Sequence, residues 1–273
     1  MTIALHLGVH KTGSTYLQAA LHSCAPALAE RGVDVVPFET LRAEFTRRAW
    51  PRPDRDGSRN AENRQAAEDW LRGVLEQRPA RMVLSDENLL GTPEEIVSSG
   101  QLYPRLEARL EPMAEMLRGA RVELYMGLRH PAEFSRSIFC ENLRAPQRDF
   151  TPAALFRERW LAAQTSWQPV VERVRALFPR APVTLWNFKT FRDDPERVIA
   201  AVAGVERLPD YEVKPWDRRQ GLSQAATEAL LQIGARDGAR AMAARSHETA
   251  QAYPLSDGNW LYELWRADEK PAF

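Results

Sequence analysis

Cysteine is scarce in this chain: Cys24 and Cys140 are the only two. Both fall in part-apolar stretches that read as helical, which favours reduced, structural thiols over a disulfide. No C-x-x-C and no H-E-x-x-H pattern occurs, so no metal site is expected. No apolar run reaches about 18 residues, so no membrane-spanning helix is expected. The chain enters a strand-like run at once, without the basic segment and apolar stretch of a secretion signal. A cytoplasmic location is the default expectation. Charge of one sign is also missing: Lys plus Arg is 37 and Asp plus Glu is 37, a formal net charge of zero. A nucleic-acid binder normally carries a basic surplus, so no nucleic-acid partner is expected.

What is present suits a globular α/β protein. The chain has 273 residues, 44% of them hydrophobic, enough to bury a sizeable core. Its 8 tryptophans either pack in that core or line a cleft. Strand-like runs at 3–9, 33–37, 81–86, 121–128 and 183–188 alternate with helical patterns. The helices are expected at 14–30, 61–77, 101–118, from Pro131 onward, and over 152–178, 194–203 and 223–245. Alternation of this kind implies a mainly parallel sheet flanked by helices on both faces. One domain over residues 1–273 is expected, with a mobile loop at 42–60 and an irregular C-terminal tail. The loop contains RRAWPRPDRDGSR, rich in arginine, proline and turn formers.

The densest chemistry lies near the N-terminus, in IALHLGVHKTGSTYLQ, residues 3–18. A buried strand runs into a glycine turn, and a helix begins directly after two hydroxyl residues. First-turn N–H groups have no helical partners, and the helix dipole favours negative charge there. Gly13 lets the backbone come close, Ser14 and Thr15 add hydroxyl donors, and Lys11 adds a point charge. The same residues could simply form a turn and an N-cap. The common nucleotide loop reads G-x-x-x-x-G-K-[ST]; here the lysine precedes the second glycine.

The order K-T-G-S-T-Y resembles the loop of sulfotransferases that use 3'-phosphoadenosine 5'-phosphosulfate (PAPS), which typically reads P-K-S-G-T-T-W. The resemblance implies that Lys11, Thr12, Gly13, Ser14 and Thr15 hold the 5'-phosphosulfate, with Lys11 stabilising the leaving phosphate. His10 stands at the proline position. Further along, LRHPAEFSRS, residues 128–137, resembles the family's R-x-P-x-x-x-x-x-S segment, so Arg129 and Ser137 are expected at the 3'-phosphate. FKTFRDDP, residues 188–195, is similar to Y-E-x-L-x-x-D-P, with Phe188 in place of tyrosine, Lys189 of glutamate and Phe191 of leucine. Phe188 could pack on adenine or in the core. RRQGL, residues 218–222, is similar to an R-K-G stretch, which brings in Arg219 and Gly221, with Gln220 replacing the lysine. The pattern as a whole looks closest to bacterial sulfotransferase-like proteins, and implies a P-loop-type three-layer fold.

Sulfuryl transfer needs a residue that takes the acceptor proton, and a raised carboxylate pKa would help it. VLSDENLLG, residues 83–91, offers Glu87 just past a strand end. Asp86 and His10 are the alternatives, and Glu87 could instead be an acidic residue favoured by a helix start. The acceptor is open: a glycan, a lipid head group or a small metabolite, through a hydroxyl or an amine. The arginines of 42–59 and a loop at Trp216 could cover it. No metal is required on this reading. A Mg²⁺-dependent P-loop kinase, with Asp86 on the metal, and a non-catalytic nucleotide-binding subunit of the same fold remain alternatives. Oligomeric state has no signature in the sequence.

Overall fold

In a computed structural model, residues 1–50, 56–145, 148–163, 165–214, 221–256, 258 and 261–265 are described. They form an α/β fold with one five-stranded sheet, β1 Thr2–His6, β2 Val33–Val35, β3 Arg81–Ser85, β4 Arg121–Leu128 and β5 Val183–Asn187. The order is β2-β3-β1-β4-β5, and every pair is parallel. The sheet is flanked by helices, as the P-loop-type expectation requires.

Parallel strands must be covered on both faces, and their sequences show why these are. Ala4, Val83 and Tyr125 project to one face, into a core with Leu17, Ala20 and Leu21 and with Val198, Ile199 and Val202. Those residues belong to α1, Ser14–Ser23, and to the helix Pro195–Ala203, both apolar at helical spacing. Ile3, Leu5, Met82 and Leu84 alternate to the other face and are equally buried. The edge strand β5 is different: Thr184, Leu185 and Asn187 are exposed.

The strand order has a physical consequence. From β1 the chain crosses to one side of the sheet, and from β3 it crosses back over β1 to reach β4. Loops leaving β1 and β4 therefore diverge, which opens a crevice beyond their carboxyl ends. His6, the last residue of β1, lies in register with Ser85 of β3 and Tyr125 of β4. That register sets the site described below.

The chain divides into two compact units. Residues 1–91, 105–129 and 168–218 form the first, which contains the sheet; residues 92–104, 130–167 and 219–273 form the second. The second unit has an aromatic core. Phe139 stacks on Phe156 at 5.5 Å, Phe156 lies 5.6 Å from Trp160, and Trp265 donates from Nε1 to Ser135 Oγ at 2.9 Å. At Trp160 and Trp265 the tryptophans are therefore packing residues, 1% and 4% exposed. Both cysteines are free and buried. Among the described residues no helix is long and apolar enough to cross a membrane.

Several expected boundaries move. The helix over 14–30 breaks at Cys24, and Ala25–Ala29 forms a separate turn containing Pro26. Residues 38–49 are helical, with a π-helical segment Arg42–Thr46, so the expected loop at 42–60 begins in helix. Helix resumes at Gly57, capped by the Asp56 carboxylate on the Arg59 N–H; 51–55 lie outside the described residues. The helix Pro93–Ser99 was not expected, although Thr92 and Glu95 form a complete capping box. The tail is helical over Ser246–Ala252; 266–273 are outside the described residues.

Leu5 is fully buried at the centre of the sheet and Leu185 is 41% exposed on its edge. Leu5→Ala is expected to cost about 2–5 kcal/mol, and Leu185→Ala less than about 1 kcal/mol. Denaturant midpoints of the two variants check the difference; equal losses would contradict the core assigned here.

Candidate functional site

The loop Leu7–Gly13 connects β1 to α1 under tight constraints. Its backbone turns left-handed at Gly8 (φ 46°), Lys11 (φ 64°) and Gly13 (φ 91°). A Cβ on Gly8 would lie 2.6 Å from Ser14 Oγ and 3.2 Å from Glu87 Cβ, and one on Gly13 would enter the Phe191 ring. Both glycines are thus needed for close approach as well as for conformation. Thr12 braces the turn: its hydroxyl donates to Val9 O at 2.5 Å, and its side chain fills the space that a Cβ on Gly127 would take. Thr12 is 2% exposed, so its hydroxyl serves the loop's shape.

Lys11 is the loop's one non-glycine residue in the left-handed region, a conformation that costs on the order of 1–2 kcal/mol. Arg129, leaving β4, fixes it by donating from Nη1 to Lys11 O at 3.2 Å. The Arg129 guanidinium also lies 4.8 Å over the Phe188 ring, which follows β5. Three separate sequence islands, around Lys11, Arg129 and Phe188, therefore meet in one unit. Phe188 is half-buried against the core and gives a ring face to Arg129.

Ser14 opens α1. Its hydroxyl oxygen is buried and makes no hydrogen bond, with the residue 6% exposed. An orphaned hydroxyl is costly unless something else satisfies it. It points toward Gly8, inside the turn, beside the unpaired first N–H groups of a ten-residue helix. The hydroxyl, the helix N-terminus and the Lys11 charge fit an anion bound in this loop.

A second cluster closes around the end of β3. Asp86 is fully buried and accepts from Arg42 Nη2 at 2.7 Å, Arg42 Nε at 3.1 Å and the Asn88 N–H at 3.0 Å. Glu87 accepts from Arg42 Nη2 at 3.0 Å on Oε1 and from Gln18 Nε2 at 2.9 Å on Oε2. With its amide turned to satisfy both neighbours, Asn88 donates to His10 Nε2 at 3.2 Å and accepts from Arg42 Nη2 at 3.0 Å. Gln18 also donates to Ser85 Oγ at 3.2 Å, and that hydroxyl lies 2.8 Å from His6 Nδ1.

Electrostatics separates the two carboxylates. Burial and the neighbouring Glu87 charge push the Asp86 carboxyl up. Burial would raise Glu87 as well, but the Arg42 guanidinium, with His10 beside it, outweighs burial and holds it at about 2. The raised pKa sought in a proton acceptor thus falls on the enclosed Asp86. His6, stacked 5.7 Å from Trp186, is pushed down by burial to about 4 and is neutral at ordinary pH.

No family model matches the sequence, and no curated protein does. Among solved structures, a crystal structure of a sulfotransferase from Alicyclobacillus acidocaldarius is similar, with a TM-score of 0.45 and 15% identity. The match covers 92% of this chain and 94% of that one. At this distance the likeness adds nothing about the site.

The remaining expected residues fall elsewhere. Thr15 is partly exposed in the first turn of α1. Ser137 lies on the helix Pro131–Arg144, and Gly221 precedes the helix Gln224–Asp237; both belong to the second unit. Arg219 and Trp216 lie outside the described residues. Sequence reasoning missed Arg42, Gln18 and His6. Gln18 had a legible signal, since it stands four residues after Ser14 on the same helix face. Arg42 had none, being one arginine among several in a stretch read as loop.

The buried neutral His6 generates a pH effect. Unfolded histidine takes up its proton below about 6.5, whereas folded His6 does so only near 4. As pH falls the unfolded chain binds protons first, so stability is lost from about 6.5 down to 4, by up to about 3 kcal/mol. Glu87 adds a separate loss below about 4.5, its ordinary value, continuing to about 2. Asp86, being raised, acts in the opposite sense. Denaturant melts at several pH values are expected to show a shallower decline in His6→Asn than in wild type between pH 6.5 and 4. Parallel curves would mean that His6 is not held neutral.

Proposed function

We propose that this chain is a sulfotransferase, moving a sulfuryl group from PAPS to a hydroxyl or amine of a glycan, lipid head group or small metabolite. The observation behind the reading is the buried, partnerless Ser14 hydroxyl in a strand–loop–helix turn that also contains Lys11. An anion there would satisfy the hydroxyl and the first N–H groups of α1 together. When bound, the donor supplies the activated sulfuryl group on a phosphosulfate anhydride.

The chain's own residues then divide the work. Lys11, Gly13, Ser14 and Thr15 bind the 5'-phosphosulfate, Thr12 shapes the loop, and the Lys11 ammonium offsets charge on the leaving phosphate. Arg129 ties the Lys11 carbonyl and, at the end of β4, is assigned to the 3'-phosphate. The assignments of Ser137, Gly221 and Arg219 rest on the sequence resemblance alone. Glu87 accepts a hydrogen bond from the acceptor group and orients it. A carboxyl held near 2 is a weak proton acceptor at neutral pH, so positioning and charge stabilisation supply most of the rate.

The kinase reading would need Asp86 for Mg²⁺, and that carboxylate is bound to Arg42. Calorimetric titration with adenosine 3',5'-bisphosphate, against ATP with and without Mg²⁺, decides between them. Metal-independent micromolar binding of the bisphosphate, weakened at least about tenfold in Arg129→Ala, is expected. Mg²⁺-dependent ATP binding with no response to the bisphosphate would replace the sulfotransferase with a kinase. With an acceptor in hand, Lys11→Ala is expected to lower kcat by about 100-fold or more while leaving the unfolding temperature within a few degrees; wild-type turnover would remove Lys11 from the mechanism.

A further inference from the structure

Arg42 stands out because, expected only as one arginine of a loop over the acceptor, it is instead bonded to Asp86 and Glu87. It comes from a π-helical segment, an uncommon backbone that recurs at functional sites. Its Nε and Nη2 are committed to Asp86, Glu87 and the Asn88 amide, in the orientation that satisfies both neighbours. Asp86 is fully enclosed, whereas the Glu87 side chain remains 15% exposed. The buried carboxylate therefore anchors the guanidinium, and the guanidinium in turn holds the carboxylate that reaches solvent. The other Glu87 oxygen is held by Gln18, on the helix that starts at the anion loop. A Cβ on Gly8 would lie 3.2 Å from Glu87 Cβ, so the Glu87 side chain packs close to the loop.

We propose that Arg42 is a positioning residue of this site: anchored on Asp86, it holds the Glu87 carboxylate against the loop after β1, in an orientation fixed at both oxygens. The role in sulfuryl transfer rests on the function proposed above; the hold on Glu87 does not. Each carboxylate oxygen keeps a second lone pair, so a held Glu87 can still accept a proton donor from one fixed direction. The charged or titratable groups facing Glu87 are Arg42, His10 from the loop, adjacent Asp86, and His6. Arg42 is bonded directly to its carboxylate. Without it, burial and Asp86 would act on Glu87 against His10, a backbone hydrogen bond and the Gln18 hydrogen bond.

The test is an NMR titration of the Glu87 side-chain carboxyl carbon in the whole chain, for wild type, Arg42→Gln and Arg42→Lys. Calorimetry with adenosine 3',5'-bisphosphate and thermal unfolding run alongside. Wild-type Glu87 is expected to stay ionised down to about pH 4, as a carboxyl held near 2 must. In Arg42→Gln it is expected to titrate at or above the ordinary glutamate value, about 4.3, with Arg42→Lys restoring part of the difference. Bisphosphate affinity is expected to change less than about threefold, since Arg42 is not assigned to the donor. A purely structural arginine would lower the unfolding temperature and leave the Glu87 titration in place, which would overturn the proposal. Loss of bisphosphate binding in Arg42→Gln would also overturn it, by making Arg42 a donor ligand. If Arg42→Gln does not fold, Arg42→Lys decides: a Glu87 titration unmoved from wild type overturns the proposal, and an upward shift supports it. Failure of the wild type itself to bind the bisphosphate would overturn the donor reading, while the Glu87 titration would still decide what Arg42 holds.

Discussion

The site depends on one steric constraint: the chain must leave a buried strand and enter a half-buried helix within the short loop Leu7–Gly13. Ala4 and Leu5 on one side and Leu17 and Leu21 on the other are packed in core, so neither element can shift to relax the turn. The loop therefore turns left-handed at three positions. Two are glycines without room for a Cβ. The third, Lys11, bears the conformational cost and is braced by Arg129 from the neighbouring strand. Strain of this kind persists only where the surroundings over-determine it, and such places are enriched in function. The same crowding strands the Ser14 hydroxyl without a partner.

Beside this loop, the end of β3 places two consecutive carboxylates where parallel strands present their ligand face. Two adjacent buried negative charges would be mutually unfavourable without compensation. Arg42 supplies it, and it does so unequally, because Asp86 is enclosed and Glu87 is not. The outcome is one carboxyl pushed up and one pulled down, with the lowered one next to the loop. His6 nearby is kept neutral by burial, so it adds no positive charge to the cluster at ordinary pH. The anion loop can then be flanked by a stable carboxylate without Glu87 losing its charge across the ordinary pH range.

Much of the fold was legible because the strands carry long-range information in their composition. β4 matched residue for residue, β2, β3 and β5 fell within their expected runs, and β1 starts one residue earlier and ends three residues sooner than its run, since apolar runs bounded by turn residues admit few alternatives. The segment 38–49 was not legible: its helix is short, rich in arginine and held by tertiary contacts, including the bond from Arg42 to Asp86. Within the site, the strand–loop–helix turn after β1 was readable because strand, glycines, lysine and hydroxyls occur in order. The grouping of Lys11, Arg129 and Phe188 followed from segments that each sit just beyond a strand end. The protonation states were not readable. Glu87 looks like any acidic residue after a strand, and only the approach of an arginine 45 residues away in sequence reverses the effect of burial on it.

The position of the lysine now has a physical meaning. In the common nucleotide loop the lysine follows the glycine and belongs to the start of the helix. Here Lys11 stands before Gly13, outside α1, in its own left-handed turn. Its carbonyl is turned to Arg129, which donates to it. A lysine inside the helix start suits a chain of phosphates lying along the loop; a lysine that precedes it concentrates charge at one end of a single anionic group. Because the Lys11 carbonyl and the Arg129 guanidinium are bonded, the cation at that end and the cation leaving β4 are set by the same contact. Whatever moves one moves the other, so the turns after β1 and β4 are coupled at the point where their loops diverge.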